Sequence, residues 1–107
     1  MARAVLERVR STLRELGPVA ERISRSQVAF RRRRGFAWLW IPGQHLAGPT
    51  ANVVLSIALG RHDASPRFKE VAHPSPAHWI HHLEVRDPAT IDAEVAAWLG
   101  EAADRAS

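Results

Sequence analysis

The sequence predicts an α+β fold: a mostly antiparallel five-stranded sheet packed by an N-terminal helix, a short second helix and a C-terminal helix. Apolar residues recur at helical spacing at both ends of the chain. Between those ends, five short runs rich in apolar, aromatic and β-branched residues follow one another, punctuated by Pro and Gly. Strands in succession between terminal helices favour an antiparallel sheet covered by helices over alternating βα units. The 107 residues match the size of one domain, read as a single unit over 1–107.

The first element is an amphipathic helix over 2–16. Leu6, Val9, Leu13 and Leu16 step by three, four and three, which puts them on one stripe, with Arg3, Glu7, Arg10 and Arg14 opposite. Gly17 fits the stop of that helix, and Pro18 fits the first position of a short second helix ending at Ile23. Gln27–Arg32 and Phe36–Ile41 read as a β-hairpin, with Arg33-Arg34-Gly35 as its loop and Gly35 left-handed. That register sets Phe30 opposite Trp38 and puts Val28, Phe30, Trp38 and Trp40 on one face. Ala29, Arg31, Ala37 and Leu39 then share the other face, and a one-residue slip would exchange the two sets.

Asn52–Leu59 is a nearly continuous apolar run and reads as a central strand. Arg67–Ala72 is a shorter, more polar strand. In Trp79–Val85, Trp79, His81, Leu83 and Val85 share one face, while Ile80, His82 and Glu84 share the other. Asp87-Pro88 is a cap followed by a first-turn proline, and Ile91, Val95, Trp98, Leu99 and Ala102 form the buried stripe of the last helix. The expected core is Leu6, Val9, Leu13, Phe30, Trp38, Leu55, Ile57, Leu83, Val95 and Trp98.

Composition narrows the function classes. There is no cysteine, which removes disulfide frameworks, thiolate nucleophiles and cysteine-ligated metals. No apolar run reaches the roughly 20 residues of a membrane helix. The start, interrupted by Glu7, Arg8 and Arg10, does not read as a secretory signal. A cytoplasmic protein without membrane contact is expected. Net charge is +4, unevenly spread: residues 1–40 carry ten Arg against three Glu. A basic half suits phosphate or an acidic partner, whereas surface charge by itself only solvates a fold.

The stretch Gly17-Pro18-Val19-Ala20-Glu21-Arg22-Ile23-Ser24-Arg25-Ser26-Gln27-Val28-Ala29-Phe30-Arg31 resembles the opening of a small bacterial family of unknown function that is itself similar to YdhG-like domains. His81-His82-Leu83-Glu84-Val85-Arg86-Asp87-Pro88 is similar to that family's closing strand and helix start. The resemblance implies a mostly antiparallel sheet with helices packed on it, and little about activity. Some YdhG-like proteins are described as iron chaperones. That role needs an acidic surface, and the first helix has only Glu7 and Glu15 among arginines, so iron binding is not carried over.

Several groups are candidate sites. Arg31-Arg32-Arg33-Arg34 at a hairpin tip could grip successive phosphates, with Phe36, Trp38 and Trp40 adding base stacking. Against this, a register that buries the tryptophans leaves only a solvated tip. Gln44 and His45, in the long loop Pro42–Ala51, could join Arg67 and Lys69 around a small anion. Arg31, Arg33, Arg34, Gln44, His45, Arg67 and Lys69 are therefore the candidate binding residues. Six histidines invite a metal, but none lies at a ligand spacing, and His81 and His82 point to opposite faces, so no metal and no cofactor is expected. No serine sits in a nucleophile motif, and no catalytic residue is assigned. The expected function is a binding module for a protein partner or a small anionic ligand. A nucleic-acid-binding protein using the Arg31–Arg34 tip is the first alternative. A hydrolase or metal-dependent enzyme around His78–His82 is the second.

Overall fold

The computed structural model describes residues 2–40 and 53–107. Helix α1 (Ala2–Arg14) is followed by strands β1 (Ala20–Ile23), β2 (Gln27–Arg31), β3 (Gly35–Trp40), β4 (Val53–Leu59), β5 (Phe68–Ser75) and β6 (His78–Val85). A 3-10 turn (Pro88–Thr90) then leads into helix α2 (Ala93–Arg105). The six strands form one sheet in the order β1-β2-β3-β4-β6-β5, and every neighbouring pair is antiparallel. Both helices lie on one face, where Val5, Val9 and Leu13 of α1 and Val95, Trp98, Leu99 and Ala102 of α2 join one core cluster. The sheet contributes Val28, Phe30, Ala37, Leu39, Leu55, Ile57 and Leu83 to the same cluster.

The α+β antiparallel architecture is as expected, but among the described residues there are six strands instead of five and two α-helices instead of three. The segment expected as a short second helix is strand β1. Gly-Pro after a helix signals a helix start as readily as an extended segment, and Glu21 and Arg22 carry no apolar period that distinguishes them. All four residues of β1 are exposed, so burial left no mark on the sequence. Charged side chains on such an edge strand discourage pairing with stray chains. Gly17 does end α1, with a φ of 105° that a side chain would resist.

The hairpin register differs as well. Phe30 pairs with Ala37, Ala29 with Trp38, and Arg31 with Gly35, so β3 carries one extra residue between its two pairings. Phe36 and Ala37 together oppose Phe30, and both are buried. The bulge exchanges the faces: Phe30 shares the core with Ala37 and Leu39, while Trp38 and Trp40 turn to the other side of the sheet with Ala29 and Arg31. Gly35 is not left-handed. Its demand is space, because a Cβ there would stand 3.0 Å from Trp38 Cζ2. The last helix also starts later than Asp87. Asp87 caps the 3-10 turn and Asp92 caps α2, each accepting a backbone N–H.

Eight of the ten expected core residues are buried; Leu6 and Trp38 are only partly so. No described helix is long and apolar enough to cross a membrane.

Candidate functional site

The sheet face away from the helices carries the candidate site. Cross-strand partners share a face, so the pairings Arg22–Ala29, Ala29–Trp38, Trp38–Ser56 and Ser56–His82, with Glu70 beside His82, set one row across all six strands. A neighbouring row holds Gln27, Trp40, Val54 and Glu84. Among the described residues no helix packs on this face.

Its centre is a hydrogen-bonded chain. The Trp40 indole N–H donates to Ser56 Oγ at 3.0 Å, and Ser56 Oγ lies 2.7 Å from His82 Nδ1. With the indole donating to it, the Ser56 hydroxyl is free to donate to His82, which then carries its own proton on Nε2. A serine within reach of a histidine nitrogen is the pairing a nucleophile needs. Ser56 is buried, however, while Trp40 remains 43% exposed. The hydroxyl serves as a bolt that fixes the indole, and the exposed surface it organises is aromatic. The sequence reading missed this chain because Ser56 and His82 are 26 residues apart and meet only through the pairing of β4 with β6.

The arginine run divides. The Arg32 guanidinium donates to the carbonyls of Leu16 and Pro18 and to Ser107 Oγ, and approaches Asp104 at 3.6 Å. Arg34 Nη2 donates to the Arg105 carbonyl at 2.9 Å, and the Arg33 backbone N–H donates to Ala106 O at 2.8 Å. The tip is thus docked on the C-terminal ends of both helices, where exposed carbonyls and the helix dipole favour a cation. Arg31 and Arg33 keep side chains without a protein acceptor among the described residues. Arg31 lies on the tryptophan face, as does the exposed Arg22.

Arg67 and Lys69 do not meet. Arg67 Nη1 reaches Asp92 at 3.1 Å and Glu94 at 2.8 Å, and its guanidinium lies over the Trp98 ring. Glu94 first, and Asp92 after it, hold that guanidinium above its ordinary pKa. Lys69 Nζ pairs with Glu84 at 2.8 Å. Gln44 and His45, with the rest of the loop Pro42–Ala51, lie outside the described residues.

Of the remaining histidines, His62 and His73 both contact the Trp79 ring, and the His62 and His81 ring centroids lie 6.3 Å apart. His73 stacks on Trp79 with ring centroids 3.4 Å apart. His81 is fully buried: its Nε2 accepts the Asp63 N–H at 3.0 Å, and its Nδ1 lies 3.1 Å from the Trp79 carbonyl. No group of three metal-ligating side chains gathers among the described residues. Burial pushes the His81 pKa below its ordinary value of 6.5. The folded protein therefore keeps His81 neutral where the unfolded chain takes up a proton. Stability is expected to be full above about pH 6.5 and to fall as pH drops from there toward the lowered folded pKa, by at most about 1.4 kcal/mol per pH unit. Urea titrations between pH 7 and pH 5 measure this, and His81→Leu should flatten the slope in that window.

Residues 1–105 match the family model described as Domain of unknown function (DUF5655). The chain belongs to that family. No curated protein and no solved structure matches it. The DUF5655 match spans both helices and all six strands, so the tryptophan face, the docked arginine tip and the buried His81 all lie within the family domain.

Proposed function

We propose that this DUF5655 domain is a cytoplasmic binding module whose contact surface is the tryptophan face, and that it takes single-stranded nucleic acid there. The observation that supports this is Trp40, an exposed ring held by Ser56 on a sheet face that also presents Arg22 and Arg31. Rings on a sheet stack bases, and neighbouring guanidinium groups contact the phosphates between them. The contact moves from the hairpin tip to the sheet, because Arg32 and Arg34 are spent on helix ends. A protein partner or a small anionic ligand remains the alternative, drawing on the same aromatic and basic chemistry. The YdhG-like resemblance belongs to this reading as a relationship of fold and of bacterial origin.

The test is titration of a fluorescein-labelled oligo(dT) at low salt. Trp40→Ala should weaken binding about tenfold, since stacking on one aromatic is worth roughly 1–3 kcal/mol per base. Replacing Arg22 and Arg31 together by Ala should flatten the log–log salt dependence by about 1.4, at roughly 0.7 per single-strand phosphate contact. Oligonucleotide binding that ignores Trp40→Ala, or none at about 50 mM salt, where non-specific electrostatic binding is strong, would remove the proposal.

A further inference from the structure

A second surface stands apart from the tryptophan face, at the free edge of β1. Ser24 N–H donates to Gln27 O at 2.9 Å across the β1–β2 turn. Hydrogen-bonded and non-hydrogen-bonded pairs alternate in an antiparallel ladder. The pairs Arg22–Ala29 and Ala20–Arg31 are therefore bonded to β2, while the backbone N–H and C=O of Glu21 and Ile23 point outward from the sheet.

A cavity of about 340 Å³ opens beside this edge on the helix side, lined by Arg10, Leu13, Arg14, Gly17, Val19, Glu21 and Phe30. Leu13, Val19 and Phe30 supply its apolar lining. Two guanidinium groups stand at its wall. Arg10 is occupied, with both Glu21 oxygens and Glu7 at 2.8 Å. Arg14 is exposed and has no acceptor among the described residues, and the same holds for Arg22 and Arg25 along β1 and its turn. Ile23 is 67% exposed on the helix-facing side of the strand, an unusual degree for so apolar a side chain at an edge.

We propose that β1 accepts an extended acidic peptide of another protein as a further strand, which places an apolar side chain in the α1–β1 cavity and a carboxylate on Arg14. Strand addition draws affinity from main-chain bonds and specificity from pockets for alternate side chains. A residue opposite Glu21 on the helix side has its Cβ roughly 5 Å from that of Glu21, at the mouth of the cavity. The next side chain on that face lies two residues along, within reach of the arginines. An acidic segment is chosen because Arg14 at the cavity wall, Arg22 on the strand and Arg25 in its turn are cations without an acceptor among the described residues.

The test uses a fluorescein-labelled peptide, Ser-Thr-Val-Thr-Leu-Glu with a free carboxylate, and an amidated counterpart ending in Gln. Polarisation should show the acidic peptide binding more tightly. Amide resonances of Glu21 and Ile23 should move on binding. Ile23→Pro removes an outward N–H that β2 does not use and should weaken the peptide about tenfold, the worth of roughly one hydrogen bond to a charged or well-placed partner. Arg14→Glu, on the exposed side of α1, should invert the preference between the two peptides whether or not the proline variant folds. Trp40→Ala should leave peptide binding unchanged, which separates this surface from the nucleic-acid face. Equal affinity for both peptides, or insensitivity to Arg14→Glu, would overturn the proposal. So would a dimer in sedimentation that Ile23→Pro dissociates, since a second copy would then own the edge.

Discussion

Phe30→Ala is expected to lower the unfolding free energy by roughly 3–5 kcal/mol, the usual cost of emptying a buried aromatic site. Trp38→Ala, although it deletes the larger ring, is expected to cost about 1–2 kcal/mol, because only part of its area is removed from water. The contrast follows from the bulge in β3. Phe30 is fully buried and faces Ala37 and Phe36 under the helices. Trp38 lies on the opposite face, with its ring over Gly35. Were the hairpin regular, Phe30 and Trp38 would be cross-strand partners in one core and would cost alike. Urea unfolding of the two variants measures this, with unchanged m-values showing that both remain two-state. Equal costs would mean that the faces of β3 are assigned the wrong way round.

That register marks the boundary of what the sequence discloses. Helices α1 and α2 were legible because Leu6, Val9, Leu13 and Leu16, and Ile91, Val95, Trp98, Leu99 and Ala102, recur at helical spacing, although the buried stripe of α1 is Val5, Val9 and Leu13, with Leu6 and Leu16 only partly buried. Strand β6 was largely legible in its faces: of Trp79, His81, Leu83 and Val85 the last three are buried and Trp79 is half-buried, while Ile80, His82 and Glu84 are half-buried. Run β4 was legible from its apolar continuity. The bulge was not. In Phe36-Ala37-Trp38-Leu39-Trp40 every second residue is aromatic, so alternation points to an aromatic core face. The structure instead buries the small and aliphatic members with one phenylalanine, and the choice is made by β4 and the helices packing from elsewhere in the chain. Strand β1 left no pattern because both its faces are wet. The candidate site was half legible. Trp38, Trp40 and the arginines were singled out, but which arginines are spent depends on where the helices end in space. The Ser56–His82 contact depends on strand order, which no local pattern encodes.

Asp63→Ala is expected to destabilise the protein by about 2–4 kcal/mol, because it strips an acceptor from several donors at once. Asp63 lies in the connection between β4 and β5 and ties it to α2. Its Oδ1 accepts the Ser65 N–H at 2.9 Å, and its Oδ2 accepts the Trp98 indole N–H at 3.0 Å and an Arg61 N–H at 3.1 Å. The Asp63 backbone N–H in turn reaches His81 at 3.0 Å, so the loop is pinned to the core from both sides. Asp63→Asn separates shape from charge. An amide has one carbonyl oxygen for the two sides, and its NH₂ would face another N–H, so this variant should lose more than half of what alanine loses. The pH dependence gives a second reading. The Ser65 N–H bond is the largest cause holding the Asp63 carboxyl below its ordinary pKa of 3.8, with Trp98 and Arg61 adding to it against the cost of burial. A depressed folded pKa means stability that is present above about pH 4 and lost as pH falls through the folded value. Asp92, whose pKa is also lowered, acts in the same window, so the slope below pH 4 should shrink in Asp63→Asn without vanishing. Arg61 also pairs with Glu101 of α2 at 2.8 Å, so an Asp63→Asn protein as stable as the parent at pH 7, with an unchanged acid slope, would show that the loop is held by that pair and by packing against Trp98 and not by the carboxylate.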